Sequence, residues 1–443
     1  MKERPEGVIR RRAWALATLF LLSASHASAA AGDEQLAKPL DRRTVLEAAL
    51  ARNPGVRAPE ERATAAREMA RAEGSLPPPE LMGQVWQVPF SSPTAFDRQM
   101  IMVGATQTFP APGSLGARAR AAEAEGDVQQ AMSRDRARAI LREAGHAFAD
   151  YEESSARHRI HRDHLQVMQH LFDVAQARHA AGGSLTDVVR AEVELSRVEA
   201  DFVTDATLIE SARAHLNALL AREPSAPLGA PVDADPVMPA VDAVSLLATA
   251  RATRPELKVA RSEQEARMYA AEAAEREATW PSFAVGALYF PPTSAMPEHG
   301  YGATLSVSLP WLWGAASAKE KAQRLYLRAA ATEVEAARLP VDAEVVTAES
   351  KARSAAYRVK ILRDRTLPAS RRAFEIIEAG FESGRTDLMT ILDARRAVVD
   401  VEQQIVMGRA DLSHALTDLE AAVGAPVATR PIGAVVQGGD HVQ

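Results

Sequence analysis

Two stretches of this chain carry small or apolar residues at strictly alternating spacings of three and four. In the later stretch these are Ile391, Ala394, Val398, Val401, Ile405, Gly408, Leu412, Ala415, Leu419 and Ala422. In the earlier one they are Val188, Ala191, Leu195, Val198, Phe202, Asp205, Ile209, Ala212, Leu216 and Leu219. A mean spacing of 3.5 marks a seam between supercoiled helices rather than one amphipathic helix on a globular core. Both seams register at one constant offset, and Asp205 alone is neither small nor apolar. The seams sit in residues 172–221 and 373–424, each after a glycine-containing break. The pattern therefore predicts a duplicated helical hairpin.

The duplication reaches further. The phrase TVLEAALARNPGVRAPEERATAAREMARAEG, broken at Asn53-Pro54, returns about two hundred residues later as SLLATARATRPELKVARSEQEARMYAAEAAERE, broken at Pro255. Proline removes a backbone donor and restricts its predecessor, so each break is local and sharp. Next come paired short runs, 81–90 with 99–109 and 283–290 with 302–309. In the last of these Ala303, Leu305, Val307 and Leu309 alternate with Thr304, Ser306 and Ser308. Period two predicts strands with one apolar and one polar face. Their lengths suit a tilted membrane-spanning strand of ~9–11 residues; a soluble hairpin packed on a helix is the plainer alternative.

Each strand pair ends at a proline and feeds a long helical segment, 115–181 or 314–380. At 1.5 Å per residue each extends on the order of 100 Å. Gly116, Gly126 and Gly145 weaken the first segment, while Pro340 and Pro368 should kink or interrupt the second. The return helices, 184–221 and 386–424, are shorter by almost half, so the helices near 56–75 and 256–278 must accompany the long ones. Each repeat reads helix, strand, strand, long helix, tight turn, helix. The repeats span 30–223 and 241–424, with hairpins 115–221 and 314–424. Residues 224–240, Pro-rich and without period, link them, and 425–443 reads as a flexible tail.

The N-terminus reads as a secretory signal, residues 1–29. It has a basic start at Arg10, Arg11 and Arg12, the apolar run AWALATLFLL and the small residues Ala27-Ser28-Ala29 before cleavage. The apolar run is far short of the ~20 residues that span a bilayer as helix. Without cysteine, disulfides, thiolate metal sites and an N-terminal lipidated Cys are excluded. The net charge is −6, of which residues 1–29 hold +3 (Lys2, Arg4 and the three arginines against Glu3 and Glu6), leaving about −9. That balance argues against nucleic acid as a partner. Aromatic residues are only 5%, fewer than a thick enzyme core uses. No Ser/His/Asp constellation, phosphate loop or closed metal set is visible, so the chain reads as no enzyme and needs no cofactor.

Four strands cannot close a barrel that has an interior. An open sheet in lipid would leave edges whose backbone groups cost several kcal/mol each. Long seams likewise need neighbours on both sides, and a ring of subunits meets both demands. The residues Phe109-Pro110-Ala111-Pro112-Gly113 and Ser308-Leu309-Pro310-Trp311, with Gly384, the phrase LMTILDA at 388–394 and DVVRAEVE at 187–194, then make the kinship specific. Over its mature length the chain resembles the TolC family of outer-membrane efflux proteins, in wording its heavy-metal branch. The resemblance implies a mainly α fold with a membrane β-barrel contribution. It implies a homotrimer with a twelve-stranded barrel in outer-membrane lipid and a long α-helical barrel in the periplasm. Metal ions or small toxic compounds would pass through it from an inner-membrane pump and a periplasmic adaptor (membrane fusion protein). A type I protein-secretion duct and a soluble periplasmic coiled-coil structural protein are the rival readings.

The family narrows its tunnel at the periplasmic turns with acidic rings and hydrogen bonds. By motif, Asp393 keeps the second acidic position of the phrase and Thr390 replaces the first; Asp187 stands at the equivalent place in the first hairpin. Asp393 and Asp187 also read as acids favoured by the positive end of a helix. Arg385, beside Gly384, reads as a partner across the turns or as a solvated cation. Finally, His158, His161, His164 and His170 share one helical stretch, where i/i+3 spacing can pair imidazoles for a metal. The tract RHRIHRDH is strongly charged, so it reads first as a solvated helix face and only second as a surface metal cluster.

Overall fold

The computed structural model describes residues 36–86, 100–232, 237–293 and 297–432. The signal segment, strand positions 87–90 and 99, and tail residues 433–443 lie outside the described residues.

The first repeat begins with α1 (Arg42–Arg52), capped by Asp41, whose carboxylate accepts from the Thr44 amide at 2.7 Å. After Asn53 the chain restarts as α2 (Pro54–Glu73), then β1 (Glu80–Trp86), β2 (Met100–Phe109), α3 (Ser114–Ala180) and α4 (Leu185–Leu219). The second repeat adds β3 (Val237–Pro239), α5 (Ala243–Thr253), α6 (Pro255–Thr279), β4 (Ser282–Phe290), β5 (Gly300–Ser308) and α7 (Ala315–Ile361). A single π-turn (Leu362–Thr366) leads into α8 (Leu367–Glu382), and α9 (Leu388–Val423) and β6 (Thr429–Pro431) complete the order. All seam positions on α4 and α9 are buried or half-buried.

Three sequence expectations change. Pro340 lies inside an unbroken α7, whereas Pro368 follows the π-turn, in which the Leu367 amide reaches back to the Leu362 carbonyl. Proline lacks a donor and collides with the carbonyl four residues back; a turn widened by one residue relieves both. The described parts of the linker and of the tail, 224–232, 237–240 and 425–432, are not structureless either. Gly229 donates to the Leu36 carbonyl, Leu40 to Ala230 and Val232 to Leu40, each at 2.9 Å. β3 then pairs antiparallel with β6, Val237 opposite Pro431. Pairing through the backbone alone leaves no periodic pattern to read.

The described chain divides into two compact units that do not follow the repeats, since each takes pieces of both. One comprises Arg57–Arg136 and Arg254–Val341. It holds a four-stranded antiparallel sheet in the order β1-β2-β4-β5, so the inner strands come one from each repeat. Phe109 pairs Phe283, Ser282 pairs Ser308 and Glu80 pairs Thr106, which brings every helix-connected strand end to one end of the sheet. Directly opposed residues share a face: Leu81, Val103, Ala105, Phe283, Val285, Leu305 and Val307 lie on one, Thr106, Thr108, Thr304, Ser306 and Ser308 on the other. Leu81 and Leu305 are 83% and 70% exposed, so no described residue covers them on the apolar face. The helical part is packed on alanine, including Ala63, Ala117, Ala124, Ala131, Ala266, Ala274 and Ala330, which lets backbones approach closely.

The other unit takes the chain through Val56, Ala137–Thr253 and the chain from Asp342 onward. One of its cores joins Leu36, Leu40, Val45 and Ala49 to Ile140, Phe148 and Tyr151 of α3 and to Leu216 and Leu219 of α4. A second, smaller one sets Met238 and Ile432 against Ala356 and Leu412. The third lies by the hairpin turns, where Met168, Leu171 and Ala175 of α3 and Ala191, Leu195 and Val198 of α4 meet Phe381, Leu388, Ile391 and Leu392 of α8 and α9.

Candidate functional site

The third core fixes the two hairpin turns together, and the charged residues of the sequence motif surround it. The first turn passes through Gly182 at φ 96° and the second through Gly384 at φ 72°. Asp187 lies half-exposed in the first turn of α4. Thr390 belongs to an N-cap: its amide donates to Asp387 Oδ1 at 3.0 Å, and its hydroxyl donates to the same oxygen. Those bonds hold the Asp387 carboxyl below the usual carboxylate range. Asp387, three residues before Thr390, thus places a capping carboxylate at this turn. Arg385 bonds the Ser383 hydroxyl within its own turn at 2.9 Å and is exposed, so the link across the turns runs through other residues.

Asp393 is exposed beside the fully buried Ile391, and accepts from Arg396 at 3.0 Å. The same guanidinium reaches Glu194 of α4 at 2.5 Å, and Glu194 also holds Arg197 at 2.8 Å. Bonding to Glu194 raises the Arg396 pKa further. A second link between the hairpins comes from Arg178, in the last turn of α3, which donates to the Phe381 carbonyl and lies 4.0 Å above that ring. Arg396 and Arg178 escaped the sequence reading. The available signals were a cation three residues after Asp393 and a basic residue at a helix C-terminus, where it also meets the dipole favourably.

The histidine tract is not a surface cluster. His161 and His164 are each 7% exposed, and His158 stacks on Phe202 with centroids 4.3 Å apart. Asp205, the polar seam residue, is 2% exposed and accepts from Arg157 Nε at 2.8 Å and His161 Nδ1 at 2.5 Å. His161 Nε2 then accepts from the Gln403 amide of α9 at 2.6 Å, so one polar layer ties α3, α4 and α9. Burial, with Arg395 and His161 adding to it, depresses the His164 pKa to about 4. His170 remains exposed. Among the described residues no group of three or more His, Cys, Asp or Glu is arranged to hold a metal ion. The tract looked solvated because its arginines dominate the composition. Yet His161, His164, Met168, Leu171 and Ala175 recur at threes and fours, Ser154 stands seven residues before them, and together they form the buried stripe of α3.

Residues 45–222 and 246–425 match the outer membrane efflux protein family model, and the chain belongs to that family, the TolC-type channels. These are channels and not enzymes. The fold is shared with VceC of Vibrio cholerae (17% identity, TM-score 0.70, 87% of this chain and 96% of that one). It is shared also with the open state of MtrE of Neisseria gonorrhoeae (19%, 0.71, 87% and 89%) and with CusC (17%, 0.74, 87% and 92%). No curated protein matches it in sequence. No helix among the described residues is long and apolar enough to cross a membrane.

Proposed function

We propose that the chain is the exit duct of a tripartite efflux system. Three copies pool their strands into a twelve-stranded barrel in the outer membrane, and their helices form the periplasmic tunnel. Metal ions or small toxic compounds enter from an inner-membrane pump through a periplasmic adaptor. The observation that carries this reading is the sheet. It has a bare apolar face, an opposite face that is polar at its helix-connected end, and, among the described residues, two edge strands paired on one side only, a combination suited to lipid outside and water inside.

The gate of this duct is the ring of bonded turns. Arg396–Glu194 and Arg178–Phe381 hold the second hairpin against the first, while Asp393, Asp187 and Asp387 present carboxylates at the mouth. Three copies of each repel one another and attract multivalent cations. Single-channel recording in planar bilayers tests both parts. Arg396→Gln is expected to raise the open conductance, and Asp393→Asn to weaken block by a trivalent cation added on the helical side. Unchanged conductance and unchanged block in the two variants would remove the gate from these residues. Absence of any channel would remove the duct.

A further inference from the structure

The linker and the tail strand, which carry no periodic pattern, wall a cavity of about 300 Å³. It lies wholly within the unit made of the chain through Val56, Ala137–Thr253 and the chain from Asp342 onward. Linker residues Pro231 and Val232 form one side, held where the Val232 amide donates to the Leu40 carbonyl. Val237 of β3 and Thr429 of β6 form another. The floor comes from two helices, with Phe148 and Ala149 of α3 and Ala410 and Leu412 of α9 all buried. Phe148 belongs to the core that joins α1, α3 and α4, and Leu412 to the smaller core with Met238 and Ile432. The cavity therefore opens between two apolar cores.

Its charged lining is mostly committed. Asp41 caps α1 through the Thr44 amide, and Arg42 donates to Glu420 at 2.6 Å and to the Thr417 hydroxyl at 3.1 Å. Glu152 and Arg409 are engaged as well, and Arg159 stands exposed, where water solvates it. Glu153 differs. It is half-buried and makes no hydrogen bond or ion pair with any described residue. Burial pushes its carboxyl above the usual carboxylate range, and Asp150 and Asp411 push the same way against Arg157 and His414. A partly desolvated carboxylate without a donor is costly, and a cation in the cavity relieves that cost. Arg159 gains no comparable relief from an anion, because an exposed pair is worth little. The apolar floor suits hydrocarbon, and the volume is at the small end of the ~300–1,000 Å³ typical of ligand sites. That leaves room for a single ring or a short chain.

We propose that this cavity binds a small amphipathic cation, its ammonium group at Glu153 and its apolar part against Phe148 and Leu412. The site does not depend on the exit-duct reading, since none of its residues belongs to the four-stranded sheet or to the hairpin turns. The full chain in non-ionic detergent is dialysed to equilibrium against benzyltrimethylammonium at mildly alkaline pH, with empty micelles as background. Benzyl alcohol and benzenesulfonate serve as neutral and anionic counterparts. The ammonium is expected to bind as a single molecule per chain, about tenfold more tightly than either counterpart, as a charge-assisted contact implies. Glu153→Gln should weaken it by about the same factor and remove its preference over benzyl alcohol. Acid should release the ammonium from the unaltered protein as Glu153 takes up a proton, and leave the residual binding of Glu153→Gln unchanged. Ala156→Leu keeps the carboxylate but fills the cavity, of which Ala156 is a lining residue, and should abolish binding. Unchanged thermal midpoints show that both variants are folded. No binding by the unaltered protein refutes the site. Equal binding by Glu153→Gln overturns the part given to Glu153, and equal binding by Ala156→Leu puts the ammonium outside the cavity. Tighter binding of benzenesulfonate overturns the cation in favour of an anion at Arg159.

Discussion

The two helical hairpins share one seam and treat its polar rung differently. Where α4 has Asp205, bound by Arg157 and His161, α9 has Gly408, against which Val359 of α7 packs so closely that a Cβ would stand 3.1 Å from its methyl. One hairpin fills the rung with a desolvated charge and its partners, the other with a neighbouring methyl. The long helices differ in the same sense: α3 runs 67 residues unbroken, while its counterpart is divided by the π-turn before Pro368. Duplication thus preserves the pattern of burial without preserving the chemistry that achieves it. At this rung the first hairpin is held by directional bonds and the second by contact.

The sharpest way to break this contrast is Asp205→Ala. It leaves Arg157 and His161 facing a void, and removing one member of a buried pair costs about 3–5 kcal/mol. Thermal unfolding of the detergent-solubilised protein should show a large drop in midpoint. Converting the whole layer, Asp205→Leu with His161→Leu and Arg157→Met, should recover most of it, because an apolar replacement of similar volume is near neutral or better. Failure of that rescue would mean that the layer does more than fill the seam.

Acid should act on the first hairpin next most strongly. The folded chain holds the His164 imidazole to about 4, while an unfolded chain protonates near 6.5. Between these values only the unfolded state takes up the proton. The contribution is therefore complete above about pH 6.5 and declines as pH falls toward 4, by roughly 3 kcal/mol. His164→Gln should flatten that limb of the midpoint-versus-pH curve. His414 opposes it in sign: a hydrogen bond to Asp150 raises its pKa, so its contribution is present in acid and lost as pH rises through the folded value. A double variant with His414→Gln separates the two.

On the second hairpin, Gly408→Val forces a side chain against Val359 and should cost about 1–3 kcal/mol by overpacking. Val359→Ala in the same protein should return part of that loss. The smallest effect concerns the caps. Asp387 caps α9 through the Thr390 amide, whereas Ser184 before α4 makes no side-chain cap bond. Asp387→Ala should lower the midpoint slightly and Ser184→Ala not measurably. Equal shifts would show that the caps do not distinguish the hairpins.

Much of this architecture was legible because it rests on periodicity. The alternating threes and fours located both hairpins, period two located the strands, and Pro54 and Pro255 located the helix starts. What stayed hidden depends on partners distant in sequence. Asp205 marked a flaw in the seam, but its companions sit more than forty residues away on another helix. His161 and His164 looked solvated until α4 and α9 closed over them. The β3–β6 pair has three residues a strand, too few for a pattern. At the turns the sequence pointed to Asp393 and Thr390, whereas the bonds between hairpins come from Arg396 and Arg178. A long cation can reach a partner on either side, so its own sequence neighbourhood does not say which.

The strand order β1-β2-β4-β5 has one more consequence, which concerns symmetry. With four strands, each antiparallel to the next, the two outer strands run in opposite directions. Two copies joined by like edges, β1 to β1 or β5 to β5, would be related by a two-fold axis, and one copy's helices would point the opposite way. Joined by unlike edges, β5 of one to β1 of the next, neighbours keep the antiparallel alternation and all helices leave from the same rim. That contact is head-to-tail, the kind that closes into a ring when the rotation per copy divides the circle. With an odd number of strands, the unlike edges would meet in parallel. Doubling an ancestral strand pair therefore does more than lengthen the sheet: it gives the chain two complementary ends of opposite polarity, through which identical copies can face one way.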